Sequence, residues 1–296
     1  MSQHKILVTG ATGKTGRETV KLLLERGQVV RALIHREDER AAALAKLGAE
    51  IVLGDLLDFE SVRAAMEGIG TAYFVYPIRP GILQATAYFA QAGKEAGLRA
   101  IVNMSQASAR RNAKSHAAQD HWIAERVFDW SGVPVTHLRP TLFAEWILYW
   151  ADFIKAGFLP LPFGTGRHAP ISAEDQARVI ANILIAPEAH QGKTYPLFGP
   201  KETTFPEMAQ ELARLLGKPV QYQVTDVPSL AKLAKEHGKP LPDFFWQHIT
   251  EIAIDHQDGV FAGANDLVEK IGGRPPLTLD AFVARNRDQL VAQGGV

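Results

Sequence analysis

The chain of 296 residues has room for about two domains and a core that needs no covalent staples. With 46% apolar and 22% charged residues it has the composition of a globular protein, which excludes disordered, collagen-like and coiled-coil chains. Thirty-two basic residues balance thirty-two acidic ones and there is no cysteine, so no phosphate-neutralising block for nucleic acid is evident, and disulfides, thiolate nucleophiles and cysteine-ligated metals are excluded.

The amino terminus, Met1 to Lys5, leads straight into an apolar strand without the ~7 to 15 residue hydrophobic stretch of a signal peptide. No run approaches the ~18 uninterrupted apolar residues of a membrane span, so the expectation is a cytoplasmic protein without membrane contact, monomer or homodimer. In chain order, short β-branched runs alternate with stretches of helical period. The strands expected are Lys5 to Thr9, Val29 to Ile34, Glu50 to Leu53, Ala72 to Tyr76, Ala100 to Met104 and Val135 to Leu138. Gly16, Val20, Leu23 and Leu24 share one helical face, as do Ile123, Val127 and Trp130. Gly27, Gly48, Gly68, Gly97 and Gly132 fall where glycines end helices. Strands alternating with helices build right-handed βαβ units. The fold class is therefore α/β: a Rossmann doubly wound parallel sheet over residues 1–150, with a smaller mixed α/β C-terminal substrate region over 151–296. After Pro140 aromatics crowd Trp146 to Phe163, capping-box patterns open helices at Ser172 with Asp175 and at Thr204 with Glu207, and residues 194–199 are expected to return to the main sheet.

Directly after the first strand stands Thr9-Gly10-Ala11-Thr12-Gly13-Lys14-Thr15-Gly16, opening into the first helix. Gly10 permits a tight turn, Gly13 lets the backbone approach a pyrophosphate, and Gly16 allows close packing of the helix start. The helix N-terminus then offers unpaired N–H groups and a partial positive charge to the anion. A nucleoside-triphosphate P-loop fails on spacing, because only two residues separate Gly10 from Gly13 where four are needed. At the end of the second strand an acid would bind a ribose 2′-hydroxyl and a guanidinium a 2′-phosphate. Arg36 stands there, so NADP is expected rather than NAD, with Glu37, Asp38 and Glu39 as competitors for the guanidinium.

This glycine motif resembles that of extended and atypical short-chain dehydrogenases. Gly54-Asp55-Leu56-Leu57-Asp58, the pair His121 and Glu125, Gly132-Val133-Pro134-Val135-Thr136-His137-Leu138-Arg139-Pro140, and Pro170 to Ala177 narrow the resemblance to the NmrA-like family, in order closest to its quinone oxidoreductase and triphenylmethane reductase group. The resemblance implies that Asp55 and Leu56 lie at the adenine and that Phe74, Val75, Tyr76 and Pro77 line the cofactor. It further implies that Met104, Ser105, Pro140, Thr141, Leu142 and Phe143 surround the nicotinamide and its ribose.

None of the six tyrosines has a lysine four positions on, so the Tyr-x-x-x-Lys pair that most short-chain dehydrogenases use as acid is absent. Electron-poor conjugated acceptors delocalise incoming charge and ask less of the protein. His121, with Glu125 one turn later to orient its ring, is the candidate proton donor or substrate ligand; the competing reading is a helix-surface histidine in an ordinary i, i+4 pair. Ser105 is a second catalytic candidate, or a helix cap. No third ligand joins His121 and Glu125, so no metal is expected. Trp146, Tyr149, Trp150 and Phe153, and separately Phe244 to Trp246, wall an apolar pocket or pack a core. Two functions are carried forward: an NADPH-dependent reductase of small aromatic or quinone-like substrates, and an NADP-binding redox-sensing regulator with little or no catalysis.

Overall fold

A computed structural model of the chain describes residues 4–238 and 240–291. The strands are β1 (Lys5–Val8), β2 (Val30–Ile34), β3 (Glu50–Leu53), β4 (Ile69–Phe74), β5 (Ala100–Met104), β6 (Val135–Pro140), β7 (Phe158–Leu161), β8 (Thr194–Leu197) and β9 (Gln221–Val224). The first six are connected by the helices α1 (Lys14–Glu25), α2 (Glu39–Lys46), α3 (Phe59–Ala65), α4 (Ile82–Glu95) and α5 (His116–Ser131). After β6 come α6 (Trp146–Tyr149), α7 (Ala151–Lys155), α8 (Ala173–Ile185), α9 (Phe205–Leu216), α10 (Val227–Glu236), α11 (Asp243–Gln257), α12 (Leu267–Gly272), α13 (Leu279–Arg285) and α14 (Arg287–Leu290).

Seven strands form one sheet in the order β3-β2-β1-β4-β5-β6-β8. Every pairing is parallel, as crossover helices require. All six strands read from the first half occur. The fourth begins at Ile69 instead of Ala72 and ends at Phe74 instead of Tyr76. Gly68 and Gly70 hide its start, and at its end the Val75 amide leaves the ladder to donate to the Thr9 hydroxyl (2.9 Å). The returning strand also occurs: β8 pairs with β6 in the register Leu138↔Tyr195.

Central strands are apolar on both faces because helices cover both. On one face Val8, Ile34, Val102 and Leu138 pack with Val20 and Leu23 of α1 and Val179 and Ile183 of α8. On the other, Leu7, Ala72 and Phe74 pack with Ile82 and Phe89 of α4 and Phe128 of α5. A third cluster, with Phe163, Phe205, Leu212 and Ile249 at its centre, belongs to the segments after β6 and to the small parallel pair β7–β9. The aromatic run from Trp146 to Phe163 lies here: Trp146 meets Phe163 edge-on at 5.6 Å, and Phe153 packs on Trp150 and Phe158.

Thr204 and Glu207 form the complete reciprocal capping box read from the sequence. Ser172 and Asp175 form only half of one. The Ser172 hydroxyl accepts from the Asp175 amide (3.1 Å), but the Asp175 carboxylate turns to Arg178 (2.5 Å) and to the Leu277 amide (2.8 Å). The Arg178 side chain is only 4% exposed and also donates to the Gly272, Arg274 and Pro275 carbonyls, and a buried cation outcompetes a neutral amide for a carboxylate. Among the described residues no helix is long and apolar enough to cross a membrane.

Candidate functional site

The strand order reverses between β1 and β4, and a ligand crevice in an open α/β sheet opens at the carboxyl ends of such a pair. There the glycine turn faces Val75. Gly10 sits at φ +56°, and a Cβ on it would lie 2.5 Å from a Val75 methyl. The Gly13 amide donates to the Gly10 carbonyl (2.9 Å) and closes the turn. Gly16 packs directly on that turn: a Cβ there would come within 2.8 Å of the Gly10 carbonyl carbon and 3.0 Å of Ala11 Cα. Ala11 and Thr15 are buried, and the Thr15 carbonyl accepts from Thr19 (2.9 Å).

Asp38, Asp58 and Ser115 cap α2, α3 and α5 with side-chain oxygens. Gly13, the cap of α1, has no side chain to do so, and the amides of the first turn face the crevice mouth without a capping group. A diphosphate fits that cradle: only side-chain-free positions keep it open, and its donors are main-chain amides at a positive helix end.

Arg36 stands at the end of β2, 75% exposed, with its Nε 3.8 Å from Asp38. Asp38 is engaged elsewhere, accepting from the Arg40 and Ala41 amides (3.0 and 3.1 Å) and from Arg40 Nε (3.0 Å), so it does not sequester Arg36. Arg40, which sequence reasoning passed over, lines the same cleft as Gly13; its place in the first turn after the Asp38 cap is the signal that locates it. Asp55 uses one carboxylate oxygen to hold the Leu57 amide (2.9 Å) while the other lies 4.0 Å from His35; Leu56 is half-buried against the α4 face.

Several side chains implied as cofactor wall are committed elsewhere. Phe74 is fully buried between Phe89 (4.9 Å) and Phe128 (5.2 Å), and the Tyr76 hydroxyl donates to the Pro80 carbonyl (3.1 Å). Alternation along β4 points both rings into the α4–α5 core, so only their backbone reaches the edge. Val75 and Pro77 remain at the crevice. Met104 is buried in the α1–α8 core, the Thr141 hydroxyl donates to the Phe261 carbonyl (3.3 Å), Leu142 joins the third cluster, and Phe143 bridges to Ile171 after the buried Pro140.

Ser105 is 4% exposed at the end of β5, and its hydroxyl has no partner among the described residues. It caps no helix; α5 is capped by Ser115. The neighbouring Gln106 Nε2 is likewise buried and unpaired. Unmade buried hydrogen bonds are costly, and two beside the carboxyl edge fit a polar ligand at that place.

His121 is 4% exposed, so it is not a surface histidine. It lines a narrow crevice with Pro77, Ile78, Arg79 and Phe244. Burial pushes its pKa down to about 4 against the raising effect of Glu125, so the ring is neutral at pH 7. The expected orientation by Glu125 does not occur. The fully buried Glu125 carboxylate takes Arg139 in a two-pronged pair (2.8 and 2.6 Å), and His121 Nδ1 is left without a partner. A guanidinium from β6 outbids a neutral imidazole on the same helix. His248 of α11, pushed down to about 3 by burial and then by His121, meets the Ser115 hydroxyl (2.7 Å). Helix α11 is strapped over the start of α5 by Gln247 to the His116 amide (3.0 Å) and by Arg110 to Asp255 (2.7 Å). Phe244 therefore belongs to the site, while Phe245 and Trp246 pack in the third cluster. Among the described residues no group of three or more histidine or acidic side chains gathers as a metal site.

A larger cleft of about 670 Å³ opens on the α1 side of the turn, lined by Thr12, Gly13 and Lys14 and by Glu145, Tyr149 and Ser172. Lys14 Nζ lies 5.2 Å from the Tyr149 ring centroid, and its pKa is lowered by burial against the opposing effect of Glu145.

The model of the NmrA-like family matches residues 2–258. An NAD(P)H azoreductase of Xenophilus azovorans is 30% identical over 94% of this chain and 96% of its own. An NADPH-dependent quinone oxidoreductase of Escherichia coli, solved with NADPH, superposes with a TM-score of 0.83 at 25% identity over 96% of this chain and 100% of its own. A triphenylmethane reductase of Citrobacter sp. complexed with NADP(H) superposes with a TM-score of 0.81 at 25% identity, covering 95% and 99%. With a glycine turn at the switch point of a seven-stranded parallel sheet, and a family match running from residue 2 to 258, the chain belongs to the NmrA-like family.

Proposed function

We propose that this NAD(P)H-dependent oxidoreductase uses NADPH to reduce quinones or similarly conjugated aromatic acceptors. The observation that carries the reading is the uncapped start of α1 at the switch point, kept open by Gly10 and Gly16, where any side chain would collide with Val75 or with the turn itself. The names of the azoreductase, quinone oxidoreductase and dye reductase relatives support the acceptor class.

In this reading the amides following Gly13 hold the diphosphate, and Arg36, joined by Arg40, receives the 2′-phosphate. Reduced nicotinamide, when bound, supplies a hydride to the acceptor. The chain's own residues do the rest. Val75 and Pro77 form one wall, and the Ser105 hydroxyl and Gln106 amide supply hydrogen bonds at the end of β5. His121, neutral above about pH 4, offers a hydrogen-bonding nitrogen and not an acidic proton. Helix α11, with Phe244, covers His121 and keeps water from it. A hydroquinone product draws its proton from solvent, because no Tyr-x-x-x-Lys acid stands in the sequence.

The test is NADPH consumption with a panel of quinones beside a binding titration of NADP. Oxidation that depends on the acceptor supports the reading. Tight NADP binding without turnover on any acceptor replaces it with the redox-sensing regulator.

A further inference from the structure

Helix α5 and the first turn of α11 face each other across a slot lined by Pro77, Ile78, Ile82, Ala117, His121 and Phe244. Its empty space, about 150 Å³, is everywhere too narrow for a water molecule. Apart from His121 and the exposed Arg79 the lining is apolar, and Ala117, one turn before His121 on α5, contributes only a methyl group. His121 Nδ1 is buried with no partner among the described residues, an unmade hydrogen bond that a polar ligand atom would complete.

Three consecutive aromatics open α11, and one of them stands apart from any core. Phe245 and Trp246 pack on the third cluster, and Trp246 Nε1 donates to the Leu241 carbonyl (3.1 Å). Phe244 joins none of the three clusters, is half-buried, and has one ring neighbour among the described residues, His116, at 6.3 Å and tilted by 42°. The helix beneath it is fixed. The Gln247 side chain accepts from the His116 amide (3.0 Å) and donates to the Lys114 carbonyl (2.9 Å), His248 meets the Ser115 hydroxyl (2.7 Å), and Arg110 holds Asp255 (2.7 Å). On such a backbone a weakly packed ring moves by turning between staggered side-chain wells, without any displacement of the helix.

We propose that the Phe244 ring is an exchangeable plug: a quinone or similarly flat conjugated acceptor enters the slot by displacing it and lies against Ile82 and Ala117 with an oxygen at His121 Nδ1. The assignment rests on the acceptor class proposed above and names the side chain that sets its affinity. Pro77 belongs both to this slot and to the proposed cofactor wall, so a ring seated here meets the cofactor at its edge, as hydride transfer requires; the glycine turn does not line it. The exchange is ring for ring, and the acceptor buries apolar surface that Phe244 gives up. A neutral imidazole suits both ends of the reaction: as the Nδ1–H tautomer it donates to a quinone carbonyl, and as the other it accepts from a hydroquinone hydroxyl. Expelling Phe244 weakens the binding of every acceptor, and flat molecules that fill the slot as fully as the ring does are favoured over non-planar ones.

The test separates a plug from a wall. With Phe244 as plug, Phe244→Ala removes a competitor, so the KM for 1,4-naphthoquinone falls by about tenfold while kcat stays within about threefold, and Phe244→Trp raises KM. With Phe244 as a fixed wall that stacks on the acceptor, Phe244→Ala raises KM, and that result overturns the proposal. A second readout needs no turnover. The His121 ring, whose pKa burial lowers to about 4, is titrated by nuclear magnetic resonance in the full chain. The titratable and charged groups around it are Glu125 on its own helix, His248 on α11 and Arg79 after β4, none of which the substitution removes. Phe244→Ala admits water to the ring and moves its pKa up toward the ordinary histidine value. A pKa that stays at about 4 overturns the plug. No NADPH oxidation by the wild-type chain with any quinone refutes the acceptor class and with it the ligand assigned to the slot, whereas turnover whose KM is unchanged in Phe244→Ala refutes the plug alone. Circular dichroism melts of both variants separate an opened slot from a lost fold.

Discussion

Gly16→Ala sets two physical effects against each other at the place where function is anchored. Gly16 lies in the first turn of α1, and alanine is intrinsically better in a helix by about 1 kcal/mol. Propensity alone therefore predicts a stabilised protein. The added Cβ, however, would stand 2.8 Å from the Gly10 carbonyl carbon and 3.0 Å from Ala11 Cα, all backbone atoms of the turn. Ordinary contact starts near 3.4 Å, so either the turn or the helix start shifts by several tenths of an ångström. Overpacking of this kind costs ~1 to 3 kcal/mol, which outweighs the propensity gain and leaves a net loss of about 1 kcal/mol. In a chain of this size that lowers Tm by ~2 to 4 °C. Because the displaced atoms belong to the proposed diphosphate cradle, NADP affinity falls by more than stability does, by about tenfold or more. Thermal melts followed by circular dichroism and calorimetric titration of NADP read the two effects separately. A variant that melts higher and binds NADP as before refutes the account of Gly16 and the placement of the cofactor with it.

Arg36→Ala should weaken NADP by ~10- to 100-fold through loss of a charge-assisted contact while leaving NAD unchanged, and equal losses for both would remove Arg36 from the 2′-phosphate. Arg139→Met removes both charged hydrogen bonds from the wholly buried Glu125 carboxylate, leaving it only Arg126 at 3.7 Å, and should cost ~3 to 5 kcal/mol in urea unfolding; a loss under ~1 kcal/mol contradicts the pairing. His121, His168 and His248, with pKa values pushed down to about 4, 3 and 3, are neutral in the fold and protonate near 6.5 once unfolded. Their contribution is whole above about pH 6.5 and drains away as pH falls toward 4, each losing ~1.4 kcal/mol per unit. Urea midpoints between pH 7 and 5 should drop accordingly, and His248→Gln should reduce the slope; a flat profile argues against buried neutral rings.

The sheet and the glycine turn were legible because their signals are local. A β-branched run, a glycine at the helix end and a contiguous Gly10 to Gly16 need no knowledge of what packs where. The β4 boundary was missed for a tertiary reason: Thr9, on the neighbouring strand, captures the Val75 amide that would have extended the ladder. The small pair β7–β9 escaped notice because Pro160 and the polar Gln221 and Gln223 break the strand pattern. His121 and Glu125 have the spacing of a helix pair, yet Arg139 decides the outcome from another strand. Lys14, Glu145 and Tyr149 meet only through the fold, and the strap of α11 over Ser115 spans more than a hundred residues. Such constellations have no sequence signature at any single spacing.

Helix α8 packs on α1, and β8 closes the edge of β6, although both come from beyond the residue at which the two expected regions divide. During synthesis the first six strands thus emerge with one flank bare and a naked ladder edge until Leu197 has left the ribosome. A fragment cut near residue 150 would carry that sticky margin permanently and should self-associate instead of serving as a portable nucleotide-binding cassette.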